Sequence, residues 1–323
     1  MGQVALGIDL GGTTFAVAAF DNSGKMLHRI SYPTATEGLA KHILDSLASG
    51  VCEVAGLIGD GGEVAGVGIG IPGPVVPETG TIKQCPNLHA LDGVRVTQEL
   101  SARFDGWPCF VGNDAFCATL AELRFGAGAD VENMVMLTLG TGIGGGIALH
   151  NEVIRGPRQI MGEVGHLIIQ PNGPKCGCGN RGCFEAVAAK EAIIDLAVRA
   201  LQAGKHSIIM DLVDGDVRRI TPEIISKAAA GNDRVAIEVY EKIGNFIGIA
   251  LCNCIVLCDP DRIVLGGGIA AAGEALFGSV RRTVAARSLI SGFDVTQIVP
   301  AQLGNDAGVL GAAALVWEHN GKG

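Results

Sequence analysis

The chain has 323 residues, 33 of them acidic and 24 basic, for a formal net charge of -9 with histidine neutral. That balance, without any run of Lys and Arg, argues against a dedicated nucleic-acid binder, and 18% charged against 48% apolar residues argues against disorder. Glycine is the outlier, with 49 residues and no every-third-residue period, so its clusters read as tight turns or ligand-cradling loops and not as collagen.

In chain order, the opening predicts strand, turn, strand: VALGIDL, then GGTT, then FAVAAFD. Asp9 interrupts the first apolar stretch and no basic region precedes it, so no secretory signal is expected. Leu6 stands where a myristoylation signal needs Ser or Thr. A helix is expected from about Leu39 to Ser49, followed by the buried strand VAGVGIGI, which Pro72, Gly73 and Pro74 end. PCFVGNDAFCATLAELRFG predicts a strand passing directly into a helix, with Asn113 and Asp114 at the junction. NMVMLTL, GTGIGGG and IALHNEVI then repeat the opening pattern, which suggests two related halves, each with a glycine hairpin. Helical spacing returns at Val235, Val239, Ile243, Phe246, Ile247, Ala250 and Leu251 and stops near Asp259 and Pro260. The strand RIVL runs from there into Gly266, Gly267 and Gly268. The most membrane-like stretch, Ile247 to Cys258, contains Asn253 and is too short to span a bilayer. Strands alternating with helices, and no Ser- or Pro-rich linker between the halves, predict a compact α/β architecture.

Three loops, DLGGTT, LGTGIGGG and LGGG, combine glycines with Thr hydroxyls or apolar strand ends. Glycine lets backbone N–H groups approach an anion with no side chain between them. The second loop formally matches G-x-G-x-x-G through Gly140, Gly142 and Gly145, but a strand follows it where a dinucleotide fingerprint needs a helix. No Gly-Lys pair precedes Ser or Thr, so there is no Walker A loop. What remains is phosphate binding by β-hairpin loops, the arrangement of the actin and hexokinase class; the alternative for any one loop is a plain turn. Asp9, just before the first loop, is placed to hold Mg²⁺ directly or through water, or to satisfy turn amides.

The segment GEVGHLIIQPNGPKCGCGNRGCFE puts Cys176, Cys178 and Cys183 in a glycine-rich loop downstream of His166. One imidazole and three thiolates complete a tetrahedral structural zinc site, against the alternative of simple reduced cysteines. The other seven, Cys52, Cys85, Cys109, Cys117, Cys252, Cys254 and Cys258, are expected as core residues in apolar surroundings. Ten cysteines with no secretory signal read as reduced thiols and metal ligands, which places the protein in the cytoplasm.

DLGGTT, the Gly-Asn-Asp junction, LGTGIGGG, GEVGH, CGCGNRGCFE and LGGGI occur in the order seen in the ROK family of sugar kinases and repressors, and the chain resembles that family over essentially its whole length. The resemblance implies an α/β, actin/hexokinase-like (ribonuclease H-like) fold of two domains closing over a sugar in an interdomain cleft. The smaller domain would comprise residues 1–112 plus about 303–323, the larger 113–302. It implies ATP-dependent phosphorylation of a hexose, glucose foremost, at the 6-hydroxyl, with Asp114 as the catalytic base. Asn113, Asp114, Glu163, His166 and Glu185 match the sugar-binding positions, and Gly73 and Asn87 match them more loosely. Gly11, Gly12, Thr13 and Thr14, with Thr141 and Gly142, match the phosphate loops; Gly267 and Gly268 match the adenosine-side loop. The implied cofactors are structural Zn²⁺ on His166, Cys176, Cys178 and Cys183, and Mg²⁺ with ATP. The implied partners are a hexose and ATP, with no nucleic acid or membrane, in a homodimer or homotetramer. Fructose, N-acetylmannosamine, N-acetylglucosamine or allose as the sugar, and polyphosphate as the donor, stay open. The family's repressors carry a winged helix-turn-helix ahead of the kinase-like body, and the residues before Asp9 are too few to form one.

Overall fold

The structure, a computed structural model, describes residues 2–35, 38–59, 62–86, 88–104, 106–290 and 292–320. The chain forms two compact units: Met1–Ala129 with Arg155–Ile160 and Gln302–Gly323, and Asp130–Ile154 with Met161–Ala301.

The first unit begins with an antiparallel meander, β1 (Gly2–Leu10), β2 (Thr14–Asp21) and β3 (Met26–Pro33). Then follow α1 (Ala40–Gly56), β4 (Gly62–Ile71), the small hairpin β5 (Val75–Val76) and β6 (Thr81–Ile82), α2 (Val96–Ser101), β7 (Cys109–Asn113) and α3 (Asp114–Phe125). The strand order is β3-β2-β1-β4-β7, with β4 parallel to β1 and β7 parallel to β4.

The second unit repeats this plan with β8 (Met134–Leu139), β9 (Ile143–Leu149) and β10 (Glu152–Val153) as its meander. It continues through α4 (Phe184–Ala188), α5 (Lys190–Gln202), α6 (Ile209–Leu212), α7 (Pro222–Ala230), α8 (Arg234–Cys258), β11 (Arg262–Gly266), α9 (Glu274–Arg287) and β12 (Ile298–Pro300). Its order, β10-β9-β8-β11-β12, again ends in two parallel strands, so the two halves suggested by the repeated hairpins share one topology. The last helix, α10 (Ala307–Asn320), belongs to the first unit.

β1 and β4 are apolar on both faces because helices cover both. α10 lies against them at backbone contact: a Cβ on Gly7 would stand 2.0 Å from Val309 O, and one on Gly68 1.7 Å from Ala312 O. α10 also meets α3 closely, since a Cβ on Gly311 would lie 1.7 Å from Cys117 O. This packing puts α3 in the first unit, so the division falls at 129/130, where the sequence reading set it at 112/113.

Three further expectations need correction. Helix α1 continues past Ser49 to Gly56 because Val51 and Val54, both 0% exposed, anchor its last turns on the core. That burial outweighs a helix cost of about 1 kcal/mol for each glycine. Cys52, on the same helix, is exposed and not a core residue. Helix α8 is 25 residues long, and by length and composition alone it could cross a membrane, which the shorter stretch from Ile247 had excluded. It is capped by Asp233, whose side chain accepts from Ala236 N, and ends where Asp259 turns left-handed (φ 42°) before Pro260. Between those ends Val239, Tyr240, Ile243, Ile247, Leu251 and Ile255 are buried in the second unit's core.

Candidate active site

In the first unit the β1–β2 turn closes with Gly11 N donating to Thr14 O at 3.0 Å. Thr34 completes it, its Oγ1 donating to Gly11 O at 2.9 Å and its N–H to Thr13 O at 2.8 Å. With these carbonyls engaged and Thr13 and Thr14 exposed, the turn presents donors suited to an anion. Asp9 is the penultimate residue of β1, beside it. Gly308, in the first turn of α10, approaches so closely that a Cβ there would lie 2.7 Å from Asp9 Oδ2. Burial pushes the Asp9 carboxyl above its ordinary value, and the charge of Arg29 partly opposes that.

At the β7–α3 junction, Asn113 is the helix cap. Its Oδ1 accepts from Ala115 N at 3.0 Å and Phe116 N at 3.2 Å, while its Nδ2 donates to Gly73 O at 3.0 Å. Gly73 has φ 89° and leaves no room for a side chain, since a Cβ would stand 2.3 Å from Gln84 O. Asn113 thus supplies the cap that the type and place of Asp114 also suggest. Asp114 opens the helix, and its Oδ1 accepts from Ala115 N at 2.8 Å. Burial pushes the Cys117 thiol well above its ordinary value; the charge of Arg155 opposes that, and those of Asp9 and Asp114 add to it. Asn87 lies outside the described residues.

In the second unit the glycine loop is shorter than its sequence suggests. The turn is Gly140 to Gly142, closed by Gly140 N donating to Gly142 O at 3.0 Å, and Gly144, Gly145 and Gly146 belong to β9. At Gly145 the reason is close approach. A Cβ on Gly145 would stand 2.7 Å from Gly162 O, and one on Gly165 2.1 Å from Ile143 O. The GEVGH segment thus crosses β9 backbone to backbone, which sets Glu163 and His166 beside the turn. Glu163 is exposed, and its carboxylate has no side-chain partner among the described residues. Glu185 on α4 accepts from Ile143 N at 2.9 Å through Oε2, while Cys176 Sγ donates to its Oε1 at 3.7 Å. One carboxylate therefore joins the phosphate-type turn to the cysteine loop, a link the linear sequence does not display. Gly267 (φ 84°) brings in the third loop, for a Cβ there would meet Leu139 O at 2.3 Å. Thr141, Gly142, Gly267 and Gly268 so gather at the carboxyl ends of β8 and β11.

His166, Cys176, Cys178 and Cys183 each offer one ligand atom, all within 4.8 Å of one another. Cys178 and Cys183 sulfurs are 3.6 Å apart, and Cys176 Sγ is 3.8 Å from His166 Nδ1. A tetrahedral ion with Zn–S bonds of about 2.3 Å needs ligand separations of about 3.8 Å, so the set fits zinc. Backbone bonds hold the loop: Cys176 N donates to Asn180 O at 2.8 Å, and Gly182 (φ 72°) passes too near Gln170 O for any side chain. Burial pushes the Cys176 thiol up and the Cys183 thiol up to about 12, whereas the Asn180 backbone N–H holds exposed Cys178 below its ordinary value. A cation bound by the three sulfurs would replace protons that two of them hold firmly.

The sequence model described as ROK family matches residues 5–319. A glucokinase of Thermotoga maritima is 37% identical over 319 residues, spanning 98% of each chain. The crystal structure of a ROK family glucokinase from Streptomyces griseus in complex with glucose and AMPPNP superposes with a TM-score of 0.82 at 32% identity, covering 98% of this chain and 99% of that one. A ROK family transcriptional regulator, a homologue of the E. coli MLC protein, superposes with a TM-score of 0.86 at 30% identity, covering 98% of this chain and 78% of its own. The fold is the actin/hexokinase-like α/β fold, and the chain belongs to the ROK family.

Proposed function

We propose that the protein transfers the terminal phosphoryl group of ATP to the 6-hydroxyl of a hexose, with glucose as the preferred sugar. The similarity to glucokinases over the whole chain supports the reaction. The mechanism is supported by the β7–α3 junction, where Asn113 caps the helix and Asp114 opens it; Asp114 would act as the general base for the sugar hydroxyl. Asn113, Glu163, His166 and Glu185, with Gly73 and Asn87, would supply the polar groups that ring hydroxyls require. Gly11, Gly12, Thr13 and Thr14 and the turn at Thr141 and Gly142 would hold the nucleotide phosphates, with Gly267 and Gly268 toward the adenosine. Mg²⁺ accompanying ATP would neutralise charge on the transferring group, and Asp9 would be the carboxylate that holds it. Zn²⁺ on His166, Cys176, Cys178 and Cys183 would be structural, fixing the orientation of His166.

A second reading, a non-catalytic sugar sensor of the same fold, is supported by the similarity to a transcriptional regulator. The discriminating experiment is a coupled assay with Mg-ATP across glucose, mannose, fructose, allose, N-acetylglucosamine and N-acetylmannosamine. Turnover of any of them excludes the sensor reading, and the order of kcat/KM assigns the sugar.

A further inference from the structure

Glu122 lies in the last turn but one of α3 and is 0% exposed, and none of the described Lys or Arg side chains forms an ion pair with it. Its carboxylate is spent on two backbone donors from distant parts of the chain. Oε2 accepts from Ala127 N at 2.7 Å and Oε1 from Leu303 N at 2.8 Å. Its own carbonyl accepts from Gly126 N at 3.1 Å and Gly128 N at 2.9 Å. Gly126 makes the fold-back possible, because a Cβ there would lie 2.1 Å from Glu122 Oε2. Burying a carboxylate without a counter-ion is costly, and an apolar residue would pack there at less expense. The position of the two donors supplies a reason. The chain passes between its units at 129/130 and 301/302, and Ala127 and Leu303 lie just inside the first unit at those two passages. At a third passage, 154/155, the Arg155 guanidinium stacks 3.8 Å over Phe116 of the same helix. The helix that opens with Asp114 thus collects three of the passages.

We propose that Glu122 is a positioning residue: it clamps residues 126–129 and 302–303 to α3, so that Asp114 at the start of that helix is carried as a rigid part of the first unit. The kinetic readout of this inference rests on the hexose-kinase reading; the exchange readout does not. Glutamine is a sharp probe, because it offers one acceptor and one donor where two N–H groups must be accepted. Leu303→Pro removes the other partner of one bond, at a backbone φ of -85° that is close to proline's own.

The test compares wild type, Glu122→Gln, Leu303→Pro and the double variant as full chains, by steady-state kinetics with glucose and Mg-ATP and by amide hydrogen exchange. Glu122→Gln is expected to lower kcat about tenfold or more and to raise the glucose KM with it, the pattern of a residue that positions the site and not of a base. Exchange at the Leu303 amide should accelerate while the middle of α3 keeps its protection. Leu303→Pro should reproduce the kinetic change, and the double variant should be no worse than the poorer single one. Kinetic constants of Glu122→Gln within about twofold of wild type, or additive effects in the double variant, would overturn the clamp. If Glu122→Gln does not fold, unchanged kinetics in Leu303→Pro overturn it alone. If wild type turns over no hexose, the proposed function fails, and the exchange data decide the clamp: unaltered protection at Leu303 in Glu122→Gln overturns it.

Discussion

At the scale of single residues, the proposed chemistry rests on the division of labour between Asn113 and Asp114. Two adjacent polar residues stand at a strand-to-helix junction, and only one is needed as a cap. Because Asn113 makes the cap bonds, Asp114→Asn should fold with little loss of stability and lose proton acceptance. The expected fall in kcat is about two to four orders of magnitude with a modest change in glucose KM. Retention of more than about a tenth of wild-type kcat would remove Asp114 from the role. Asp9 makes a prediction about pH. Burial raises its folded-state value above the 3.8 of an exposed Asp, so the folded state holds that proton more tightly than the unfolded chain does. Its contribution to stability is full below pH 3.8 and is lost as pH rises through the raised value. Asp9→Asn should therefore melt above wild type at pH 7, with the gap closing as the pH falls toward 3.8, while turnover with Mg-ATP drops. Thermal melts from pH 3.5 to 8, about the range of interest, would show no closing gap if the carboxylate were not buried as described.

At the scale of elements, the second unit depends on one crossing, the GEVGH segment over β9. Gly165→Ala would push a methyl group into Ile143 O, a backbone atom with no freedom to yield. The expected cost is about 1–3 kcal/mol of stability with a raised glucose KM, read by denaturant melts and kinetics. An unchanged KM would separate the crossing from sugar binding. The zinc loop gives the companion prediction. Cys178→Ser should lower the zinc content and raise the glucose KM, because the loop brackets His166 and Glu185. Elemental analysis of protein purified without chelator decides the first point: no zinc in wild type would contradict the site, and zinc lost with glucose affinity intact would contradict the coupling. The cysteine loop and the glycine turns were legible in the sequence because their ligands and turn residues are close neighbours in the chain. The reason for Gly145, Gly146 and Gly165 was not, since it lies in a segment that returns from elsewhere, so the run at Gly144–Gly146 reads as loop when it is strand. Glu122 was equally hidden, for a glutamate in a helix reads as a surface residue until its two distant donors are seen.

At the scale of the whole molecule, the repeated hairpins at Gly11 and Gly140 suggested two related halves, and the structure shows two five-stranded sheets of one topology. The point of division was less legible, because α3 is fastened to α10 by contacts between residues as much as 194 positions apart. Membership of α8 in a core, and not in a membrane, likewise depends on partners that hydropathy along the chain does not reveal. The same fold serves kinases and regulators among the relatives, so architecture alone leaves the activity to be decided at the site. The most direct test of the central claim is the steady-state kcat/KM of the purified protein with Mg-ATP across the hexose panel, with Asp114→Asn as control. Glucose should give the highest value, on the order of 10⁴ M⁻¹s⁻¹ or above as for ordinary enzymes, and should lose at least about a hundredfold in Asp114→Asn. Absence of turnover with every hexose, or a higher kcat/KM for another sugar, would contradict it.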